Sequence, residues 1–155
     1  MSEQDVRKHL LECAKQEFLA HGFQGASLRR ICAGAGVTTG AVYFFFQNKE
    51  DMFAQIVANT AAELTNLGQA LSMAELEEPD SGPDCDLRLM EFLYRHRDEA
   101  LLLLERSQGT RYAGFAEELY AQMRWAFTLF FQRYGAGEPD PELIRILVEM
   151  RMKGN

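Results

Sequence analysis

Apolar side chains recur along this chain at three- and four-residue steps, and convincing alternation is absent, so the pattern predicts helices rather than strands. A first helix is expected from about Asp5 to His21, striped by Val6, Leu10, Cys13, Ala14, Glu17 and Phe18 and stopped by Gly22. Two short runs follow, Leu28 to Gly34 and Thr39 to Phe45, joined by the turn Ala35-Gly36-Val37. Gln47-Asn48 breaks the pattern, and Asn48 is placed to cap a longer helix that opens at Lys49 and carries Met52, Phe53, Ile56, Val57, Thr60 and Leu64. Residues 75–86, with two prolines and six acidic side chains, read as a loop. The pattern resumes at Leu87 and predicts two helices separated near His96-Arg97. A break at Ser107–Thr110 precedes a long helix from about Ala113 to Tyr134. After a turn at Gly135–Pro141, a last helix runs from Glu142 to about Lys153 with Leu143, Ile144, Ile146, Leu147, Met150 and Met152 on it.

The expected fold class is therefore all-α. An N-terminal three-helix head contains a helix-turn-helix over residues 1–48, and a helical body occupies 49–155. Local chemistry supports the helix-turn-helix. Ser27 can accept from the first N–H groups of the run at Leu28. Leu28, Ile31, Cys32 and Ala35 share one face. Small residues from Ala33 to Gly36 permit close helix approach, Gly36 suits a left-handed turn, and Val37 and Val42 can fill the angle between the helices. The outward face of the second short helix carries Thr38, Thr39, Gly40, Ala41, Tyr43 and Phe44. Hydroxyls reach phosphates or base edges, and small or aromatic groups suit thymine methyls, so this face fits a DNA major groove.

The ordered run Phe18-Leu19-Ala20-His21-Gly22-Phe23, Ala26-Ser27-Leu28-Arg29-Arg30-Ile31, Ala35-Gly36-Val37-Thr38-Thr39-Gly40-Ala41-Val42-Tyr43 and Phe46-Gln47-Asn48-Lys49-Glu50 resembles the tetracycline-repressor-like (TetR/AcrR) family of bacterial transcription regulators. The likeness covers about the first third of the chain. The family often has a histidine two residues after the tyrosine, where this chain has Phe45. The resemblance implies a homodimeric repressor that grips double-stranded operator DNA and is released by a small, largely apolar effector. It also implies that the helix starting at Lys49 relays the signal. Candidate DNA-contacting residues are Ser27, Arg29, Thr38, Thr39, Gly40, Ala41, Tyr43, Phe44 and Lys49. Several have a plainer alternative. Thr38 and Thr39 can cap, Tyr43 can pack, Lys49 can be solvated, and Arg30 points further round as a solvated charge.

For the effector, the candidates are Phe92, His96, Tyr112, Phe115, Met123 and Phe127, with Tyr94, Tyr120 and Trp125 beside them. Aromatic side chains at helical spacing are more often core than pocket. Arg106 and Arg111 could meet an acid but read first as exposed charge. The family's dimers form through the last two helices, which implies the same here. The last helix is short and the chain ends in MRMKGN. A truncated end, an altered end and a missing segment all fit.

The net charge of −7 is at odds with DNA binding until it is divided. Residues 1–53 hold six Lys/Arg and six Asp/Glu, whereas residues 54–155 hold ten and seventeen, so the head is neutral and the body acidic. Weak phosphate neutralisation leaves specific binding to a dimer and to base contacts. The polar, charged N-terminus lacks a secretory pattern and no apolar run spans a bilayer, so a cytoplasmic bacterial protein without membrane contact is expected. Cys13, Cys32 and Cys85 lack metal-ligand spacing and read as buried, reduced thiols. The histidines are scattered, and there is no phosphate loop or nucleophile elbow, so no catalytic residue, metal or cofactor is expected. The alternatives held beside the regulator are a helical protein-interaction module and a small all-α enzyme.

Overall fold

The computed structural model describes residues 2–135 and 137–153. Among them the chain is all-α: α1 (Glu3–Gly25), α2 (Leu28–Ala35), α3 (Thr39–Phe45), α4 (Lys49–Glu77), α5 (Gly82–Arg95), α6 (Arg97–Glu105), α7 (Phe115–Tyr134) and α8 (Pro141–Lys153), with a 3₁₀ turn at Pro79–Ser81. No helix among the described residues is long and apolar enough to cross a membrane.

By packing, the chain forms two compact units. The first contains residues 1–62 and 96–115, the second residues 63–95 and 116–155. This grouping by contact is not the grouping by role at residue 48, because α4 packs its first half with the head. In the first unit Leu10, Ala14 and Phe18 of α1, Ile31 of α2, Val42 of α3 and Met52, Phe53 and Val57 of α4 are buried, with Leu102 and Leu103 of α6. An aromatic cluster runs through this core. Phe53 meets Phe18 at 5.2 Å and Phe23 at 5.6 Å, both edge-on, and Tyr112 at 6.3 Å. Edge-to-face pairs set positive ring edges on negative ring faces and add to the burial of the rings themselves.

The loop from Arg106 to Gly114 belongs to the first unit. The Phe23 N–H donates to Arg106 O at 3.0 Å, and the Arg111 N–H donates to the Glu50 carboxylate at 2.9 Å. Buried Thr110 closes the turn, its hydroxyl donating to Ser107 O at 2.7 Å while accepting the Tyr112 N–H at 3.0 Å. Gly109 has φ 88°, a left-handed value that glycine adopts without strain.

In the second unit Leu64, Leu71 and Leu76 of α4, Cys85 of α5, Leu119 of α7, and Ile144 and Val148 of α8 are buried. Here the sequence expectation of a loop over residues 75–86 is corrected. α4 continues to Glu77 and α5 starts at Gly82, ahead of the expected resumption at Leu87. Both prolines fall where a helix tolerates them. Pro79 opens the 3₁₀ turn and Pro83 lies in the first turn of α5, where no intrahelical N–H bond is lost. Two of the acidic residues do structural work: Glu75 takes both terminal guanidinium nitrogens of Arg151, at 2.5 and 3.2 Å, and Asp86 pairs with the same guanidinium. The Met152 side chain and Gly154-Asn155, part of the expected C-terminal end, lie outside the described residues.

Candidate nucleic-acid interface

Four local devices hold the helix-turn-helix. The Ser27 hydroxyl accepts the Arg30 N–H at 3.3 Å and so caps α2. Gly36 ends α2 with φ 68° and ψ 31°, in the left-handed region the sequence assigned it, and the Val37 N–H returns to Cys32 O at 3.1 Å. Thr38 caps α3 by accepting the Ala41 N–H at 3.4 Å. Asn48 caps α4 through the Asp51 N–H at 2.8 Å, and the Asp51 carboxylate accepts the Gln47 N–H at 3.0 Å in return. Val42 is fully buried and Val37 half-buried, so α3 is pinned by one face only.

Arg30 is not the solvated charge its position suggested. Its Nε donates to Glu17 at 2.6 Å and a terminal nitrogen donates to Gly25 O at 2.8 Å. Glu17 also accepts the Ser27 N–H at 3.1 Å. Burial raises the Glu17 pKa, but the Ser27 N–H and the Arg30 guanidinium outweigh it and hold the carboxyl below its usual value. This Glu17 clamp, joining α1 to the start of α2, was missed because Glu17 sits at a stripe position and its partners are ten and thirteen residues away. Glu12, Cys13, Gln16, Glu17, Arg30 and Gly34 line an open recess beside it. Burial pushes the Cys13 thiol pKa up, keeping it protonated and a poor nucleophile.

The candidate contact residues divide into two groups. Thr38, Thr39, Gly40, Tyr43 and Phe44 are exposed together on α3 and its N-cap, with Tyr43 at 59% and Phe44 at 70% of full exposure. Ala41 is half-buried beside them. Arg29 is exposed on α2, and its side chain makes no hydrogen bond or ion pair among the described residues. Ser27 and Lys49 are half-buried and engaged elsewhere. The Lys49 ammonium donates to Ala26 O at 3.1 Å and lies 4.4 Å from the centre of the Phe23 ring. It fastens the start of α4 to the α1–α2 turn with one of its three N–H groups. Phe45, in place of the family's frequent histidine, is half-buried and packs between Phe44 and Phe46.

A probabilistic family description, that of bacterial regulatory proteins of the tetR family, matches residues 10–56, from α1 into α4. Over these residues the head is similar to that of the tetR family. The regulator AcrR of Shigella flexneri is 32% identical over 103 residues, 66% of this chain and 45% of that protein. The chain spans less than half the length of the first curated relatives it matches. Among solved structures, NalD, the secondary repressor of the MexAB-OprM multidrug efflux pump in Pseudomonas aeruginosa, shares the fold with a TM-score of 0.58 and 23% identity, over 97% of this chain and 81% of that one. FadR of Bacillus subtilis, solved in complex with stearoyl-CoA, shares it with a TM-score of 0.51 and 15% identity, over 92% and 80%.

The residues expected in the body to line an effector site are divided between the two units. His96, Tyr112 and Phe115 lie in the first unit, and Phe92, Met123 and Phe127 in the second. Tyr112 packs in the Phe53 cluster with the Arg111 guanidinium 5.3 Å from its ring centre, and Phe115 is buried. Phe127 is half-buried under the Arg151 guanidinium, 5.7 Å from its ring centre. Phe92, His96 and Met123 are half-buried.

Proposed function

We propose that the chain is a DNA-binding transcription regulator, a homodimeric repressor released from its operator by a small-molecule effector. The observation that carries this reading is the α3 face. A short helix is capped by Thr38 and anchored through Val42, yet leaves Thr39, Gly40, Tyr43 and Phe44 to solvent. That arrangement suits insertion into a major groove, with Tyr43 and Arg29 on flanking phosphates. The tetR-family match and the regulators among its relatives support it. In this reading Ser27 and Lys49 act mainly by positioning, since their polar groups already hold α1, α2 and α4 together.

The dimer is assigned to the C-terminal helices. Leu143, Ile146 and Met150 form an exposed stripe on α8, while Ile144 and Val148 on its other side are buried. Paired heads would then meet successive major grooves about 34–36 Å apart. An apolar effector is supported by the apolar candidates Phe92, Met123 and Phe127 of the second unit and by the ligand of the fold relative FadR. The effector must bind the two states of the dimer with different affinity, since otherwise it shifts nothing.

The experiment is a gel shift with the protein's own promoter fragment and the variant Tyr43→Ala. Tyr43 is largely exposed, so the variant is expected to keep its melting temperature and lose at least about tenfold in affinity, the equivalent of one good charge-assisted contact. Unchanged affinity would remove α3 from the interface.

A further inference from the structure

We infer that α3 reads thymine through its C5 methyl group, with the Phe44 ring as the reading surface. This deepens the proposal that the head binds operator DNA and rests on it. The seven residues of α3 are Thr39, Gly40, Ala41, Val42, Tyr43, Phe44 and Phe45. Bidentate recognition of guanine takes Arg or Lys, and that of adenine takes Asn or Gln. α3 has none of these. Its polar groups are the Thr39 and Tyr43 hydroxyls. A hydroxyl both donates and accepts, so either one discriminates poorly between base edges.

What α3 offers instead is apolar surface. Among the described residues of the first unit, Tyr43 and Phe44 are the large hydrophobic side chains left exposed, and they are adjacent. The Phe44 ring rests against one aromatic neighbour. It stands edge-on to Phe45 with centroids 5.0 Å apart and planes at 84°, Phe45 lies 6.3 Å from Phe46, and Phe46 is buried. A helical side chain leans back over the residues three and four before it, which for Phe44 are Ala41 and Gly40. Both are small, so the ring's approach to a base edge is not crowded by its own helix. The fold itself makes little demand for glycine at position 40. A Cβ there would meet Thr38 Oγ1 at 3.9 Å, ordinary contact distance. The thymine methyl is the one apolar group on the major-groove edge of the four bases, and it is the group this surface matches.

The test starts with the full chain and a random duplex library. The retained site is then resynthesised with deoxyuridine at each thymine in turn, which removes the methyl and leaves the base-pairing edge intact. Wild type is expected to bind about fourfold more weakly for one lost methyl contact and about fifteenfold for the symmetric pair, from the transfer value of one buried CH₂. Phe44→Ala, at an exposed position, is expected to stay folded by circular dichroism and to bind thymine and uracil duplexes equally. Equal wild-type affinity for both duplexes would overturn methyl reading while leaving DNA binding intact. Discrimination that survives Phe44→Ala would overturn the role of Phe44. Failure to retain any duplex would overturn the DNA reading, and this inference with it.

Discussion

Glu17, Ser27 and Arg30 show how single side chains set the geometry of the head. A carboxylate accepting one backbone N–H and one guanidinium is stabilised in its charged form, and the stability it gives depends on that charge. Its folded pKa lies below the ordinary carboxylate value, so the contribution is complete above that ordinary value and is lost as pH falls through the folded one. Glu17→Gln is therefore expected to cost about 1–2 kcal/mol at pH 7 and progressively less in acid, measured by urea unfolding at both pH values. A cost that does not change with pH would show that packing, not charge, is lost. Ser27→Ala removes the α2 cap and is expected to cost about 1 kcal/mol in the same assay. Lys49 needs a different experiment from Tyr43. Because its ammonium joins Ala26 O and the Phe23 ring, Lys49→Ala is expected to lower stability by about 1 kcal/mol as well as any DNA affinity. Tyr43→Ala is the cleaner probe of contact.

At the level of elements, the head was legible where the determinants are local. Ser27, Gly36, Thr38 and Asn48 each act within four residues, and α3 runs from Thr39 to Phe45 as its pattern predicts. The stretch from Glu75 to Asp86 was not legible, because proline and acidic composition look alike in a loop and in a first helical turn. What decides it there is remote: Arg151 reaches Glu75 across 76 residues and also takes Asp86. A break was legible at Ser107–Thr110, but the docking of the Arg106–Gly114 loop on Phe23 and Glu50 was not, for the same reason. At Gly109 a Cβ would stand 2.9 Å from Gln24 Cγ, on a backbone with φ 88°. Gly109→Ala is expected to cost about 1–2 kcal/mol by thermal unfolding from the left-handed backbone alone. An unchanged melting temperature would mean that the loop rearranges freely.

On the scale of the whole molecule, a neutral head and an acidic remainder make phosphate attraction weak, so two heads acting together are central to the proposal. The exposed stripe Leu143, Ile146 and Met150 is the assigned contact between copies. Ile146→Glu is expected to shift sedimentation toward monomer without loss of helicity, and a variant that stays dimeric would place the interface elsewhere. The most direct measurement is fluorescence anisotropy of the wild-type chain on its own promoter fragment and on a scrambled duplex, over a salt series. Tight binding to the promoter that weakens with salt, with at least about a thousandfold preference over the scrambled duplex, is the expected result. Equal, weak binding to both duplexes would contradict the assignment of this chain as an operator-binding regulator.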